Sequence, residues 1–258
     1  MEWRTIQALI RHMAAAVDAA PAFDRPFRHL VLDRVFPDDV YAAMLELMPT
    51  AADYRALPGR HKENIRGDGS ATRVKIDLFP EYTRHLPPAQ RAFWSGIGQA
   101  LCSDEVKEAF VRRLAPGLER RFGADYGSVD LYPVPMLTRD TSGYRIPEHT
   151  DTRWKGITVQ LYLPRDESIR HVGTVFSEGL PDGSFRRVSQ MSFTPNHGYA
   201  FAVGDDSWHS VDPCENLPVS RDSILHTYFV DAGLLRVLRN RSKRLGNFVL
   251  NEARHLVS

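Results

Sequence analysis

A histidine and a carboxylate two residues apart, His149 and Asp151, have the types and spacing of metal ligands. On an extended backbone, side chains two positions apart project from the same face of the strand. An imidazole nitrogen and a carboxylate oxygen can therefore meet at one point. The pair provides two of the three ligands of a 2-His-1-carboxylate facial triad, whose open positions suit non-haem iron(II) and oxygen chemistry.

A second histidine, His209, lies on a segment that can return to the same point. An apolar run over 200–203 leads to the turn-forming sequence Gly-Asp-Asp at 204–206, and the chain resumes as a strand that carries His209. Further on, Arg221 and Ser223 open another apolar strand and share one of its faces. A guanidinium beside a hydroxyl can bind one end of a dicarboxylate through charge-assisted hydrogen bonds.

Taken together, these motifs resemble the signature of the iron(II)- and 2-oxoglutarate-dependent oxygenase superfamily, in particular its prolyl-hydroxylase-like members. The signature is His-x-Asp, a distal His, and an Arg-x-Ser downstream of that His. The resemblance covers roughly residues 129–231. The residues that carry it are His149-Thr150-Asp151, His209 and Arg221-Asp222-Ser223.

The resemblance implies both a fold and an activity. The fold is α+β, with a double-stranded β-helix core (a cupin-like jelly roll) flanked by N-terminal and C-terminal helices. The activity is that of a dioxygenase that hydroxylates a C–H bond while 2-oxoglutarate is decarboxylated to succinate and carbon dioxide. Iron(II), 2-oxoglutarate and dioxygen are the implied cofactor and co-substrates, with ascorbate as an assay additive. His149, Asp151 and His209 would hold the iron, and Arg221 with Ser223 would anchor the distal carboxylate.

Strict alternation marks the apolar segment 157–163. Its odd positions are aliphatic, whereas Thr158, Gln160 and Tyr162 share the opposite face. In an ordinary sandwich that polar face would meet solvent, and in a barrel that hosts a polar co-substrate it would line the lumen. The resemblance favours the lumen, where Tyr162 would bond the distal carboxylate and Gln160 and Thr158 would line the cavity.

Rival interpretations of the metal ligands remain open. Zinc also accepts two histidines and a carboxylate, but a zinc site gives no reason for the paired Arg221 and Ser223. An iron halogenase would replace the carboxylate with a small residue, and Asp151 is present. His226 has the opposite parity to Arg221, so we expect it to point out of the lumen.

Helical periodicity surrounds this strand-rich region. We expect Pro116 to kink or break the helix in which it lies. The predicted helices cover 1–20, 38–48, 87–101, 104–122 and 234–256. A short strand is predicted at 30–32, and the main strands at 129–138, 144–149, 156–163, 172–177, 186–193, 198–203, 207–212 and 221–230.

The whole-chain properties fit one globular domain over 1–258. Lys and Arg total 33 against 32 for Asp and Glu, which gives no overall field to attract nucleic acid or an anionic membrane. Two cysteines and no basic, apolar leader predict a cytoplasmic protein. Within the domain we expect mainly helical support and loop over 1–123, the double-stranded β-helix over 124–231, and a helical segment over 232–258.

The substrate is less determined by the sequence than the reaction. Basic residues in the segment 50–75, including Arg60, Lys62 and Arg73, can belong to a solvated loop or to a flap over an anionic substrate. We expect a polar small molecule. A hydroxylase of protein or peptide side chains and a non-catalytic sensor that binds metal and 2-oxoglutarate remain as alternatives, and the oligomeric state is left open.

Overall fold

Two antiparallel sheets face each other and enclose a lumen. The computed structural model describes residues 3–57 and 64–230. The larger sheet has the strand order β1-β2-β10-β7-β12-β5-β4-β3, and the smaller sheet has the order β6-β11-β8-β9. The strands are β1 (Ala22–Phe23), β2 (His29–Asp33), β3 (Arg55–Ala56), β4 (Arg73–Asp77), β5 (Leu131–Asp140), β6 (Tyr144–His149), β7 (Lys155–Tyr162), β8 (Val175–Gly179), β9 (Phe185–Gln190), β10 (His197–Ala202), β11 (His209–Cys214) and β12 (Arg221–Val230).

This arrangement confirms the predicted α+β class and the double-stranded β-helix core. All eight predicted main strands are present. The largest displacement of a strand start is three residues, for the strand predicted at 172–177 and found at Val175–Gly179. Alternating patterns and turn residues therefore predicted the strands of the barrel from the sequence.

Helices cover the outer face of the larger sheet. They are α1 (Trp3–Ala19), α2 (Asp38–Glu46), α3 (Pro88–Leu101) and α4 (Asp104–Phe122), with short 3₁₀ turns at Ala51–Asp53, Pro80–Tyr82, Ala124–Ser128 and Arg170–Val172. The hydroxyl of Ser103 accepts a hydrogen bond from the Val106 N–H and caps α4. Pro116 does not break α4, since buried Leu114 and Leu118 on either side hold the helix against the core.

The two faces of β7 are both buried, but against different partners. Ile157, Val159 and Leu161 belong to the apolar core beneath the helices. Thr158, Gln160 and Tyr162 project into the lumen, as their contacts below show. The polar face of this strand therefore lines the barrel interior and does not meet solvent.

Part of the larger sheet comes from before residue 124. β2 pairs with β10, and β4 pairs with β5, so each extends one side of the sheet. Arg73, which the sequence placed at the end of a polar loop, opens β4 and is paired with Asp140 of β5. The predicted flap residues Arg60 and Lys62 and the predicted helix 234–256 lie outside the described residues.

Aromatic side chains fill the lumen between the sheets. Phe176 contacts the rings of Phe27, Tyr199 and Phe201 at centroid distances of 4.8, 5.1 and 6.0 Å. This packing fixes the spacing of the two sheets and keeps that part of the lumen dry. Over residues 3–57 and 64–230, no helix combines the length and apolarity needed to cross a membrane.

Candidate iron and 2-oxoglutarate site

The three predicted metal ligands converge. His209, the first residue of β11, pairs directly with His149, the last residue of β6. Their ring centroids are 4.2 Å apart. Asp151 follows two residues after His149, and one ligand atom from each of the three side chains lies within 4.8 Å of the other two. The strand pairing thus joins residues from two distant segments at one vertex.

Hydrogen bonds to the backbone orient both imidazoles. Nδ1 of His149 lies 3.0 Å from the carbonyl oxygen of Pro147, and Nδ1 of His209 lies 2.9 Å from that of Ser207. Since a carbonyl only accepts, each Nδ1 carries the proton, and each Nε2 keeps a free lone pair. Backbone groups that bind one nitrogen of a ligating histidine fix its tautomer in this way.

Both rings are neutral near pH 7. Burial, with a smaller contribution from the adjacent His209, lowers the pKa of His149 to about 4. Burial also lowers the pKa of His209. Neutral imidazoles are the form that binds metal, so no proton has to leave before coordination.

Asp151 is the anionic member of the site. Burial opposes its ionisation, but the Lys155 ammonium and a hydrogen bond from Thr158 keep its pKa well below the usual range. Lys155 Nζ donates to Oδ1 at 2.5 Å, and Thr158 Oγ1 donates to Oδ2 at 2.6 Å. Thr158, predicted as a lining residue, therefore contacts the carboxylate of Asp151, the predicted metal ligand, directly.

The donor set fits a ferrous ion. Two neutral imidazole nitrogens and one carboxylate oxygen on one side of a vertex are the ligands of the facial triad, which leaves the other positions open. The set would also accept zinc. What distinguishes the two metals here is the second part of the lumen, which holds a buried cation.

Arg221 forms the other end of the site. Its side chain is fully buried, Nε donates to the Val172 carbonyl at 2.9 Å, and Nη1 donates to Asp140 Oδ2 at 2.6 Å. Nη2 lies 3.5 Å from Thr174 Oγ1. The guanidinium also packs over the ring of Tyr162, at 5.5 Å from its centroid.

A chain of hydrogen-bonded side chains lines the lumen between the two ends. Tyr199 OH lies 2.8 Å from Gln160 Oε1 and 3.0 Å from Thr174 Oγ1. Gln160 Nε2 donates to Ser223 Oγ at 3.0 Å. Tyr162 OH donates to Thr174 Oγ1 at 3.2 Å and accepts from the Thr174 N–H at 3.1 Å. The structure thus brings Gln160, Tyr162 and Ser223 into the same polar network, with Tyr162 beside Arg221.

The separation of the two ends suits a short keto diacid. Thr174, which lies beside the Arg221 guanidinium, precedes Phe176 by two residues, and Phe176 pairs with His209. Two residues of extended chain span about 6–7 Å. A ligand whose keto-acid end reaches the metal vertex can therefore place its far carboxylate at the arginine.

Three side chains of the site were not predicted: Asp140, Thr174 and Lys155. Arg73 was predicted for a solvated loop or a substrate flap, and the structure places it beside Asp140. Asp140 has the same parity as Met136 and Thr138, but the predicted strand ended at residue 138. Arg73 is the first residue of β4, and this five-residue strand is too short to be distinguished by its sequence from the polar segment before it. Only the three-dimensional pairing of β4 with β5 joins these two residues.

Aromatic residues flank the metal vertex at the surface. Trp154, three residues after Asp151, is 42% exposed. Trp208 precedes His209 and packs at a tilt against Phe185, which is 36% exposed, at a centroid distance of 4.8 Å. Asp151 also contributes to the wall of a groove of about 620 Å³, formed with the C-terminal end of α4 and the connection between β10 and β11.

Solved structures of similar fold identify the architecture. A prolyl hydroxylase from Trichoplax adhaerens, in complex with a hypoxia inducible factor oxygen degradation domain peptide fragment, matches with a TM-score of 0.53 and 11% identity, over 90% of this chain and 94% of that one. A prolyl 4-hydroxylase from Phytophthora capsici matches with a TM-score of 0.50 and 15% identity, over 89% and 67%. The chain has the fold of the iron(II)- and 2-oxoglutarate-dependent oxygenases.

The predicted resemblance is thus confirmed at the level of this oxygenase fold. No family model matches the sequence, and no curated protein matches it. His149, Asp151 and His209, the predicted metal ligands, join the end of one strand of the smaller sheet to the start of its neighbour.

Proposed function

We propose that the protein is an iron(II)- and 2-oxoglutarate-dependent dioxygenase that hydroxylates a C–H bond of a polar small molecule. The observation that carries the proposal is the presence of two complementary half-sites in one lumen. His149, Asp151 and His209 meet at one end, and the buried guanidinium of Arg221 lies at the other. A metal-only function has no use for the second half-site.

The metal half-site would hold the iron through the Nε2 atoms of the two histidines and the carboxylate of Asp151. When bound, ferrous iron would supply the activation of dioxygen that couples decarboxylation of 2-oxoglutarate to oxidation of a substrate C–H bond. Lys155 and Thr158 hold the carboxylate ionised and oriented. The backbone carbonyls of Pro147 and Ser207 would hold the histidines in the ligating tautomer.

The co-substrate half-site would bind the distal carboxylate of 2-oxoglutarate. Arg221 supplies the charge, and the hydroxyl groups of Tyr162 and Ser223 lie in the adjoining network. Charge-assisted hydrogen bonds of this type are about twice as strong as neutral ones. The aromatic packing around Phe176 and Phe193 would exclude water from the same cavity.

The polar character of the open lumen supports a small polar substrate. Next to the co-substrate network, Lys75 pairs across the sheet with Thr138, and its Nζ donates to Asp77 Oδ1 at 2.8 Å. Arg55 forms an ion pair with the same carboxylate. These charges extend the lumen face of β4 and β3 and offer hydrogen bonds to a polar ligand.

A peptide substrate is the second candidate. It is favoured by the exposed aromatic side chains of Trp154, three residues after Asp151, and Phe185, which packs against Trp208 next to His209, since large exposed apolar groups mark interaction surfaces. Turnover on a peptide library and on polar metabolites, each followed by succinate release, separates the two substrate classes.

The central test uses purified protein with iron(II), 2-oxoglutarate and ascorbate. We expect succinate release above the no-enzyme rate, increased by the correct substrate. Asp151→Ala should abolish iron retention, and Arg221→Met should raise the 2-oxoglutarate requirement while iron stays bound. An unchanged iron content in the first variant, or an unchanged co-substrate affinity in the second, contradicts the assignment.

A further inference from the structure

Asp140 is shared by two buried arginines from different strands. Arg73 Nε and Nη2 donate to its two carboxylate oxygens at 2.5 and 2.8 Å, and Arg221 Nη1 donates to Oδ2 at 2.6 Å. Asp140 and Arg221 have no exposed side-chain surface, and Arg73 retains only 12%. The three residues lie side by side across β4, β5 and β12. They form a guanidinium–carboxylate–guanidinium cluster at the closed end of the lumen.

The cluster carries one more positive charge than negative charge. Within the described residues, Asp140 is the only carboxylate hydrogen-bonded to either guanidinium. The nearby phenols do not balance the excess, because burial raises the pKa of Tyr144 and Tyr162 and leaves both hydroxyls neutral. A buried charge without a counter-ion is costly, so an anionic ligand would balance the cluster.

Tyr144 gives independent evidence for a ligand. Its ring is fully buried and lies 4.2 Å beneath the guanidinium carbon of Arg73. Its hydroxyl is buried and has no hydrogen-bond partner, although it lies within electrostatic range of Arg73, Asp140 and Arg221. The Tyr144 hydroxyl can therefore donate a hydrogen bond to a carboxylate oxygen that binds beside the two arginines.

We propose that Arg73 is a positioning residue of the co-substrate site, and that it keeps the site cationic by occupying Asp140. This inference rests on the proposed function and names the determinant of co-substrate binding. Without Arg73, Asp140 would neutralise Arg221, and the pocket would offer a carboxylate an ion pair of zero net charge. With Arg73, the cluster has a net charge of one, which matches one carboxylate.

The proposal can be tested because it attributes 2-oxoglutarate affinity to the net charge of the cluster and not to a direct contact between Arg73 and the ligand. Arg73→Met leaves net zero charge and should weaken 2-oxoglutarate binding roughly 10- to 100-fold, as expected for one unit charge at short range in a partly shielded interior. The double variant Arg73→Met/Asp140→Asn restores the net charge of one and should recover affinity to within about threefold of the wild type. Arg73→Lys, which keeps the charge, should behave like the double variant.

The same strands offer a matched control on their opposite face. Arg139 of β5 donates to Asp222 of β12 at 2.7 Å, with 14% and 12% of the two side chains exposed. Arg139→Met and Arg139→Met/Asp222→Asn remove a comparable ion pair outside the lumen. Neither should change 2-oxoglutarate affinity by more than about twofold.

Calorimetric titration of 2-oxoglutarate into the Mn(II)-loaded full chain, with thermal melts of every variant, provides the readout. Wild-type protein that fails to bind 2-oxoglutarate overturns the proposed function itself. Wild-type binding with unchanged affinity in Arg73→Met, or equal loss in the single and double variants, overturns the role of Arg73 alone. If Arg73→Met does not fold, a folded Arg73→Lys or double variant that loses affinity more than about tenfold also refutes it.

Discussion

The Lys155 ammonium lies 2.5 Å from Oδ1 of Asp151, a side chain that is also a predicted metal ligand. Both carboxylate oxygens are thus engaged by protein donors, since Thr158 bonds the other. A cation this close to a metal position stabilises the ionised carboxylate but repels a divalent ion. The pair would therefore affect the affinity for a metal at the proposed site in two opposing ways.

Removing this cation should tighten metal binding. Thr158 still donates to the Asp151 carboxylate in Lys155→Met, so the change mainly relieves repulsion of the metal, and the Mn(II) dissociation constant should fall about 3- to 10-fold. The metal-free protein should melt at a lower temperature, because a buried carboxylate loses its partner. Lys107→Met, which breaks an exposed pair with Asp104, is the control. Weaker metal binding in Lys155→Met would show that attraction through the carboxylate dominates.

Arg121 joins the segment after Asp151 to the connection between β10 and β11, which leads to His209. Its Nη1 donates to the carbonyl oxygens of Lys155 and Val203, and its Nη2 donates to that of Arg153 at 2.6 Å. Arg121→Met should lower metal affinity about 10-fold, as is common when groups that support metal ligands are removed. Equilibrium dialysis against iron(II) under anaerobic conditions measures the effect.

Arg120 supplies the comparison for this variant. It is adjacent on α4 but forms an exposed ion pair with Asp206, and such pairs contribute about 0–1 kcal/mol. Arg120→Met should leave metal affinity unchanged. Equal losses in the two variants would mean that surface charge, not the carbonyl contacts, governs the site.

Gly173 allows the close approach of two segments beside Arg221. A Cβ at this position would lie 1.4 Å from the carbonyl oxygen of Met191, so the backbone must move to accept alanine. Gly173→Ala should destabilise the fold by about 2–4 kcal/mol and displace the neighbouring Val172 carbonyl from Arg221. Urea unfolding measures the loss. Gly127→Ala, where a Cβ meets no atom within 4 Å, should change stability by less than about 0.5 kcal/mol.

His226 should make stability depend on pH. Burial lowers its pKa to about 3, with a partial opposing effect from the carbonyls of Val134 and Leu101. Below the unfolded pKa of about 6.5, the unfolded chain gains a proton that the folded chain does not, so stability falls with pH. Between pH 7.5 and 5 this group should remove about 2 kcal/mol of stability.

The variant His226→Gln isolates that contribution. Its unfolding free energy should lose about 2 kcal/mol less than that of the wild type over the same pH interval, measured in urea at both pH values. Parallel pH profiles would assign the acid sensitivity to other groups. The expected exclusion of His226 from the lumen accords with its contact with Tyr228, which belongs to the core beneath the helices.

The sequence predicted that His149, Asp151 and His209 converge, and the structure brings the three side chains together, because each lies at or just beyond the end of a strand. It left the polar face of β7 ambiguous, since alternation is the same whether that face meets solvent or a lumen. Burial of Gln160 at 5% exposure shows which applies. Local pattern fixes a side chain's face, but not what packs against that face.

The contacts between Arg73, Asp140 and Arg221 could not be derived from the sequence. Residues 73 and 140 are separated by α3, α4 and two changes of direction, and only sheet pairing joins them. Pro116 shows the same limit in reverse. The local preference of proline predicted a kink or a break, yet α4 continues from Asp104 to Phe122 without a break. The packing of its apolar face against the core outweighs the local preference of Pro116.

The larger sheet contains strands from both the first and the second half of the chain, and this limits how the barrel can be exchanged between genes. A fragment beginning near residue 124 would leave β5 and β10 with bare hydrogen-bonding edges and would lack Arg73. The strands after residue 124 therefore do not form a complete barrel that recombination can transfer as a separate unit. We expect the coding region for residues 1–123, nearly half of the chain, to be exchanged together with them.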